Sequence, residues 1–317
     1  MALRPEDTLK LRIRPRQLAL LVALDAQRNL RRAAAAVSIS QPAATKLLAQ
    51  LEADLGLPLF ERSARGMAPT AYGATMIRHA QVVRSDFRHA HEELEALASG
   101  RHGVLRVACV ASAVPDLLAP VLERFKRDWP LVRIGVAVDT SDVVMPQLAR
   151  GDIDVALARL PDRPLPEDID AELLRRDRQV IACGIDDPLA RRRRLALRHL
   201  AGRTWVLQPR GSPQRERMES ALREAGVSGA LDVIETASII ANTALLQPLR
   251  ALTVLPESVA RYYSARRALR ILPVSLGLDV PALRLMTRRR RPLSPAAQAF
   301  IALVRAQAAA ARGRRAE

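Results

Sequence analysis

The sequence predicts an α/β protein in three parts: a small helical head, one long helix, and a large region of alternating strands and helices. Three observations predict this. Apolar residues recur at helical spacing in three short segments before Gly56. They then recur at heptad spacing from Met76 to Leu97, and after Val104 they switch to strand-length runs. The expected boundaries are 1–70 for the head, 71–100 for the long helix, 101–310 for the α/β region and 311–317 for a tail.

In the head, Leu18, Leu21 and Val22 share one face of a helix that opens after Pro15, a residue suited to a first helical turn. Leu30, Ala33, Ala34 and Val37 form the apolar stripe of a second helix, with Asn29 placed to cap it. A tight turn at Ser38-Ile39-Ser40 leads to a third helix, which has Ser40 as its cap and Pro42 in its first turn. Its stripe is Ala44, Leu47, Leu48, Leu51 and Leu55, and Gly56 ends it. At about 100° per residue, Pro42, Thr45, Lys46, Ala49 and Ala53 face away from that stripe. A helix whose outer face is short, and polar near its N-terminus, suits a DNA major groove. There Gln41 and Lys46 would bond to bases or phosphates, and Thr45 would meet a thymine methyl. An ordinary three-helix bundle with a plain surface fits the same periodicity. Leu57, Leu59 and Phe60 then anchor a turn-rich segment that carries Arg62 and Arg65 and ends at Met67-Ala68-Pro69. It reads as a β-hairpin wing with arginines for the DNA backbone or minor groove, or as a solvated loop.

No proline interrupts residues 71–98. Met76, Ala80, Val83, Phe87, Ala90, Leu94 and Leu97 are spaced alternately four and three apart, which is a coiled-coil seam. At ~1.5 Å per residue such a helix spans about 40 Å. Its stripe serves either pairing with a second chain or packing on the protein's own body.

Beyond Gly103 the chain alternates. Strands are expected at Val104–Val110, Val132–Val138, Ile153–Leu157, Gln179–Cys183, Trp205–Leu207, Leu231–Glu235, Leu252–Leu255 and Ala282–Met286. Helices are expected around Leu117–Phe125, after Thr140-Ser141-Asp142, near Pro213–Ala225 and Ser238–Gln247, and after Ser294-Pro295. This alternation indicates α/β units on a parallel sheet.

Composition narrows the function. The 317 residues carry a net charge of +17, which suits a polyanionic partner. Only three of the 50 basic residues are lysines (Lys10, Lys46 and Lys126), so the excess reflects a chain-wide preference for arginine. Residues 1–70 hold 11 basic and 6 acidic side chains, a balance of +5. The runs Arg191–Arg194 and Arg288–Arg291 lie far downstream and suit solvated faces. There is no apolar run long enough to span a bilayer and no signal-peptide pattern, so a cytoplasmic protein without membrane attachment is expected. Cys109 and Cys183 sit in apolar segments as buried thiols. No metal-ligand spacing and no catalytic motif is present, so no metal, no cofactor and no enzymatic activity is expected.

The stretch from Ala33 to Gly73 resembles the winged helix-turn-helix of the LysR-type transcriptional regulators. The matching pieces are the alanine-rich second helix, Ser40-Gln41-Pro42-Ala43, Leu51-Glu52 before Leu55-Gly56, Leu59-Phe60-Glu61-Arg62, and Pro69-Thr70 before Tyr72-Gly73. The resemblance implies DNA contact through Gln41, Pro42, Thr45 and Lys46, and Ser40, the cap just ahead of them, is expected on the same DNA-binding surface. Lys46 stands where the family has arginine and lacks its bidentate fork. The resemblance also implies paired linker helices and a homodimer, assembled further into a homotetramer, on double-stranded DNA with an inverted-repeat operator. For the C-terminal region it implies an effector domain like a periplasmic binding protein. One subdomain would take about 101–175 and 276–310, the other about 176–275, with a small-molecule effector between them. Open α/β sheets bind ligands beyond strand C-termini. At such positions stand Ser112, Thr140, Ser141, Arg159, Ser212, Thr236 and Ser238, with Arg210 in Gln208-Pro209-Arg210-Gly211-Ser212. For each hydroxyl, local capping of a helix or turn competes with ligand contact. Arg159 or Arg210 would pair with an anionic effector or with a surface carboxylate.

Overall fold

The computed structural model describes residues 13–63, 66–99, 103–160, 167–210, 212–226, 231–279, 281–289 and 291–316. The chain divides into two compact units: Met1–Ala98 with Arg150–Asp152, and Ser99–Ala149 with Ile153–Glu317.

The first unit contains α1 (Pro15–Gln27), α2 (Leu30–Ala36) and α3 (Gln41–Leu55), the hairpin β1 (Phe60–Ser63) and β2 (Gly66–Pro69), and α4 (Ala71–Ser99). Leu20, Leu21 and Leu24 of α1 are fully buried, each contributing about 1.5–3 kcal/mol of burial. The buried face of α1 is thus centred on Leu20, Leu21 and Leu24, and Leu18 lies half-buried at its margin. Ala33 and Ala34 are also fully buried, which lets α2 approach its neighbours closely. Asn29 caps α2, accepting from Arg32 N–H at 3.0 Å. Ser38 reverses the chain in the left-handed region (φ 55°). Ser40 then caps α3, and Gly56 closes it with φ 66°.

The second unit holds two five-stranded sheets, each with its own core. In the first, β3 (Val104–Cys109) lies between β4 (Arg133–Val138) and β5 (Val155–Arg159), both parallel to it. β12 (Leu283–Arg288) joins antiparallel to β5, and β6 (Ile169–Arg175) forms the edge beyond it. Helices α5 (Ala119–Asp128), α6 (Ser141–Arg150) and α10 (Pro295–Ala316) cover this sheet. Phe125 of α5 meets Phe300 of α10 edge-on, at 5.8 Å between ring centroids.

The second sheet has the order β11-β7-β10-β8-β9, formed by Arg270–Asp279, Arg178–Cys183, Leu252–Pro256, Thr204–Leu207 and Asp232–Glu235. Alternate residues point to opposite faces, as strand geometry requires. Ile181, Cys183, Trp205 and Leu207 pack with Met218 and Leu222 of α7 (Pro213–Glu224). Ala182 and Val206 pack on the other face with Leu246 of α8 (Ile239–Leu246) and Val259 of α9 (Glu257–Ala265).

Both sheets are mixed, where a parallel sheet was expected. The chain passes from the first sheet to the second between β6 and β7 and returns between β11 and β12, and the strands flanking these passages run antiparallel. The charged alternation of β6 and Pro273 within β11 hide both strands from apolar-run reading. β4 is an edge strand with Val136 and Val138 about half exposed, so its alternation does not bury both faces. Helix α10 runs through the segment expected as a tail, as far as Ala316. Among the described residues no helix is long and apolar enough to cross a membrane.

Candidate DNA interface and effector site

The candidate DNA surface rests on α3. Ala44, Leu48 and Leu51 hold the helix against the head's core, with Leu47 and Leu55 half-buried beside them. Ser40, Gln41, Pro42, Thr45 and Lys46 are all exposed. Two of these five side chains are used locally. Ser40 Oγ accepts from Ala43 N–H at 3.4 Å, and Thr45 Oγ donates to the carbonyl of Gln41 at 3.0 Å. Gln41 and Lys46 are left as the long polar groups at this end of the helix.

Glu52 is the residue whose role the sequence reading missed. Its Oε1 accepts from Leu59 N–H at 2.7 Å and Phe60 N–H at 3.2 Å, pinning the start of β1 to α3. Thr70 continues the tie. Its hydroxyl donates to Pro58 O at 2.7 Å and accepts from Gly73 N–H at the start of α4. The hairpin is antiparallel, with Arg62 opposite Met67. Arg65 and the side chain of Arg62 lie outside the described residues.

The heptad stripe on α4 divides in two. Ala80 is fully buried in the head's own core and Met76 is half-buried there, beside Ile77. Ala80 is therefore a core residue rather than a seam residue, because no surface remains on it for a partner. Phe87 and Leu94 are 64% and 65% exposed, and Val83 and Ala90 are exposed as well. The side chain of Leu97 lies outside the described residues.

The candidate effector residues stand at the C-terminal ends of parallel strands, in two groups. Ser112 follows β3, Thr140 and Ser141 follow β4, and Arg159 ends β5. Ser212 follows β8, with Arg210 before it, and Thr236 and Ser238 follow β9. Most of their side chains have local partners. Ser212 caps α7 through Arg215 N–H, and Ser238 caps α8 through Ala241 N–H. Thr236 Oγ accepts from Ser238 N–H at 3.1 Å, and Thr140 Oγ donates to Asp139 Oδ1 at 3.4 Å. Ser141 Oγ accepts from Arg159 N–H at 3.0 Å. Arg210 is the open cation of the set: its side chain is 85% exposed, and the Glu235 carboxylate lies 3.8 Å away. Gly211 lies outside the described residues.

Arg159 was expected to meet an anionic ligand or a surface carboxylate; its partner is the buried Asp177. Its Nη2 donates to Asp177 Oδ2 at 3.0 Å and to Ser112 Oγ at 2.9 Å, and its Nη1 donates to Pro281 O at 2.8 Å. Burial lowers its pKa, and Asp177 opposes that shift. Ser112 is 1% exposed, so its hydroxyl faces Arg159 rather than open space. Asp177 carries no residue-level signal in the sequence, since Arg159 and Ser258, which both donate to its Oδ2, are 18 and 81 positions away.

Among the described residues no group of His, Cys, Asp and Glu is placed to hold a metal ion. Cys109 and Cys183 are buried free thiols on strands of different sheets. Burial pushes each up to about 12, with the Asp187 carboxylate adding to the effect at Cys183.

The comparisons with known proteins agree with this layout. A family model described as a bacterial regulatory helix-turn-helix protein of the lysR family matches residues 15–74. A second, described as the LysR substrate binding domain, matches residues 98–309. The HTH-type transcriptional regulator GbpR of Azospirillum brasilense is 39% identical over 299 residues, covering 94% of this chain and 87% of that protein. The GbpR of Rhizobium radiobacter is 28% identical over 253 residues, covering 79% and 84%. Full-length CbnR solved with its target DNA has the same fold, with a TM-score of 0.62 at 24% identity over 93% of this chain and 100% of that one. The chain therefore belongs to the LysR family: it is a DNA-binding transcription regulator with an effector-binding domain, and not an enzyme.

Proposed function

We propose that this regulator works in the cytoplasm as a homodimer, assembled further into a homotetramer, on an inverted-repeat operator. The N-terminal half of α3 enters the major groove. Gln41 and Lys46 bond to base edges or phosphates, Ser40 and Pro42 face the backbone, and the Thr45 methyl meets a thymine. Arg62 and Arg65 of the hairpin reach the flanking backbone or minor groove. Arg31 and Arg32, exposed on α2, add two cations where the first helix of such a motif crosses the phosphates. Two heads are joined through the exposed part of the α4 stripe, Val83, Phe87, Ala90 and Leu94, with Leu97 next in the heptad spacing. A small-molecule effector lodges at the strand ends, among Thr140, Ser141, Arg210, Ser212, Thr236 and Ser238, and biases how the subunits meet the promoter; Ser112 and Arg159, expected in the same set, are taken up by the Asp177 cluster instead.

The observation that carries this reading is the exposed, locally capped start of α3, which leaves Gln41 and Lys46 as its long polar groups. Footprinting on the intergenic DNA beside the gene tests it. The full chain should protect a short inverted repeat that survives rising salt. The Gln41→Ala, Lys46→Ala double variant should lose that protection at least tenfold while keeping its thermal melt, since removing base contacts costs about 1–3 kcal/mol each. Full protection by the variant, or protection that is diffuse and vanishes with salt, sinks the assignment.

A further inference from the structure

Where the chain passes between the two sheets of the effector domain, one buried carboxylate gathers contacts from both sides. Asp177 lies in the first passage, between β6 and β7, and its side chain is fully buried. Arg159, the last residue of β5 in the first sheet, donates to its Oδ2 at 3.0 Å. Ser258, on α9 of the second sheet's layer, places its hydroxyl 3.2 Å from the same oxygen and 3.2 Å from Ser112 O. Asp177 Oδ1 accepts from Arg178 N–H, where β7 begins. Arg159 also holds Pro281 O, in the return passage between β11 and β12. Arg175 closes the ring by donating to Ser112 O at 2.6 Å and to Asp116 at 2.5 Å. A single cluster thus ties together both passages, β5, β6 and the Ser112 segment of the first subdomain, and α9 of the second.

We propose that Asp177 is the latch of the interdomain hinge, with an ionic arm that stays and a hydroxyl arm that exchanges. A buried carboxylate cannot part from its guanidinium without leaving two uncompensated charges in a poorly hydrated site. The Arg159 arm therefore persists through any change in the angle between subdomains. The Ser258 arm is neutral, and its one hydrogen is shared between two acceptors. Releasing it leaves Asp177 still paired and costs no charge burial. Opening and closing then turn about the Arg159–Asp177 pair, with Ser258 and α9 moving away from the Ser112 turn. The proposal rests on the effector-site reading only for what drives the motion, so its test uses the full chain without any effector.

The experiment is native hydrogen–deuterium exchange on wild type, Ser258→Ala and Asp177→Asn. Ser258→Ala should raise exchange several-fold at three places: residues 176–179, the Ser112 turn and the segment after Pro281. Amides of β3, β5, β8 and β10 should keep wild-type protection. Asp177→Asn should loosen the same three places further. Should Asp177→Asn fail to fold, Ser258→Ala alone decides. Unchanged exchange in Ser258→Ala, or a rise confined to α9, overturns the latch. A failure here leaves the effector site itself untouched, because ligand contact at the strand ends does not require Ser258.

Discussion

Glu52 shows how one side chain serves a surface it never touches. Its carboxylate holds two backbone N–H groups of the wing, so the hairpin's position is set from inside α3. Asp177 plays the same kind of part in the effector domain, and neither residue announces its role in the sequence, because the partners are brought together only by folding. The two thiols give the residue scale a pH prediction. A cysteine has an ordinary pKa of ~8.5, and burial holds Cys109 and Cys183 near about 12. A raised thiol pKa favours the folded state fully below ~8.5 and loses that contribution as pH climbs toward 12. The unfolding free energy from urea titration should therefore fall between pH 8 and pH 10, by on the order of 1 kcal/mol per thiol per pH unit above ~8.5. A Cys109→Ala, Cys183→Ala double variant should show a flatter pH slope. An identical slope in both proteins would refute the assignment.

At the scale of elements, the wing and the stripe on α4 make the sharpest claims. Gly66 has φ +113°, and a Cβ there would lie 2.3 Å from the carbonyl oxygen of Arg28. That carbonyl also accepts from Met67 N–H at 2.8 Å, so the end of α1 and the wing are locked backbone to backbone. Gly66→Ala should cost about 2 kcal/mol or more, since both the strained φ and the clash must be relieved. A thermal melt of the full chain, with a loss of several degrees, checks this. On α4, Phe87 and Leu94 present an apolar stripe to solvent while Ala80 turns inward. Phe87→Glu with Leu94→Glu should convert the proposed dimer to a monomer in sedimentation, and an unchanged mass would discard the seam. Heptad spacing alone does not separate these fates. The same stripe meets the head at its N-terminal end and leaves it further along.

For the whole molecule, local patterning determined a great deal. Helical periodicity, the Ser40 and Asn29 caps, Pro42 and Gly56 define a helix-turn-helix whose elements are held by contacts close in sequence. Ser-Gln-Pro and the Leu-Phe-Glu-Arg segment make the LysR resemblance legible for the same reason: a local scaffold leaves local traces. Strand-length apolar runs gave away most strands of the effector domain, because buried strands need apolar residues whatever their neighbours are. The tertiary structure alone decided the rest. It made both sheets mixed, since strand direction depends on where the chain crosses and not on any strand's own residues. It turned Ala80 into core, paired Arg159 with Asp177 across 18 positions, and brought Ser258 to the same carboxylate across 81. A sequence specifies what each segment can form through short-range sterics and hydrophobicity. Which distant charges share a buried site is settled only when the low-dielectric interior closes around them and demands that each be paired.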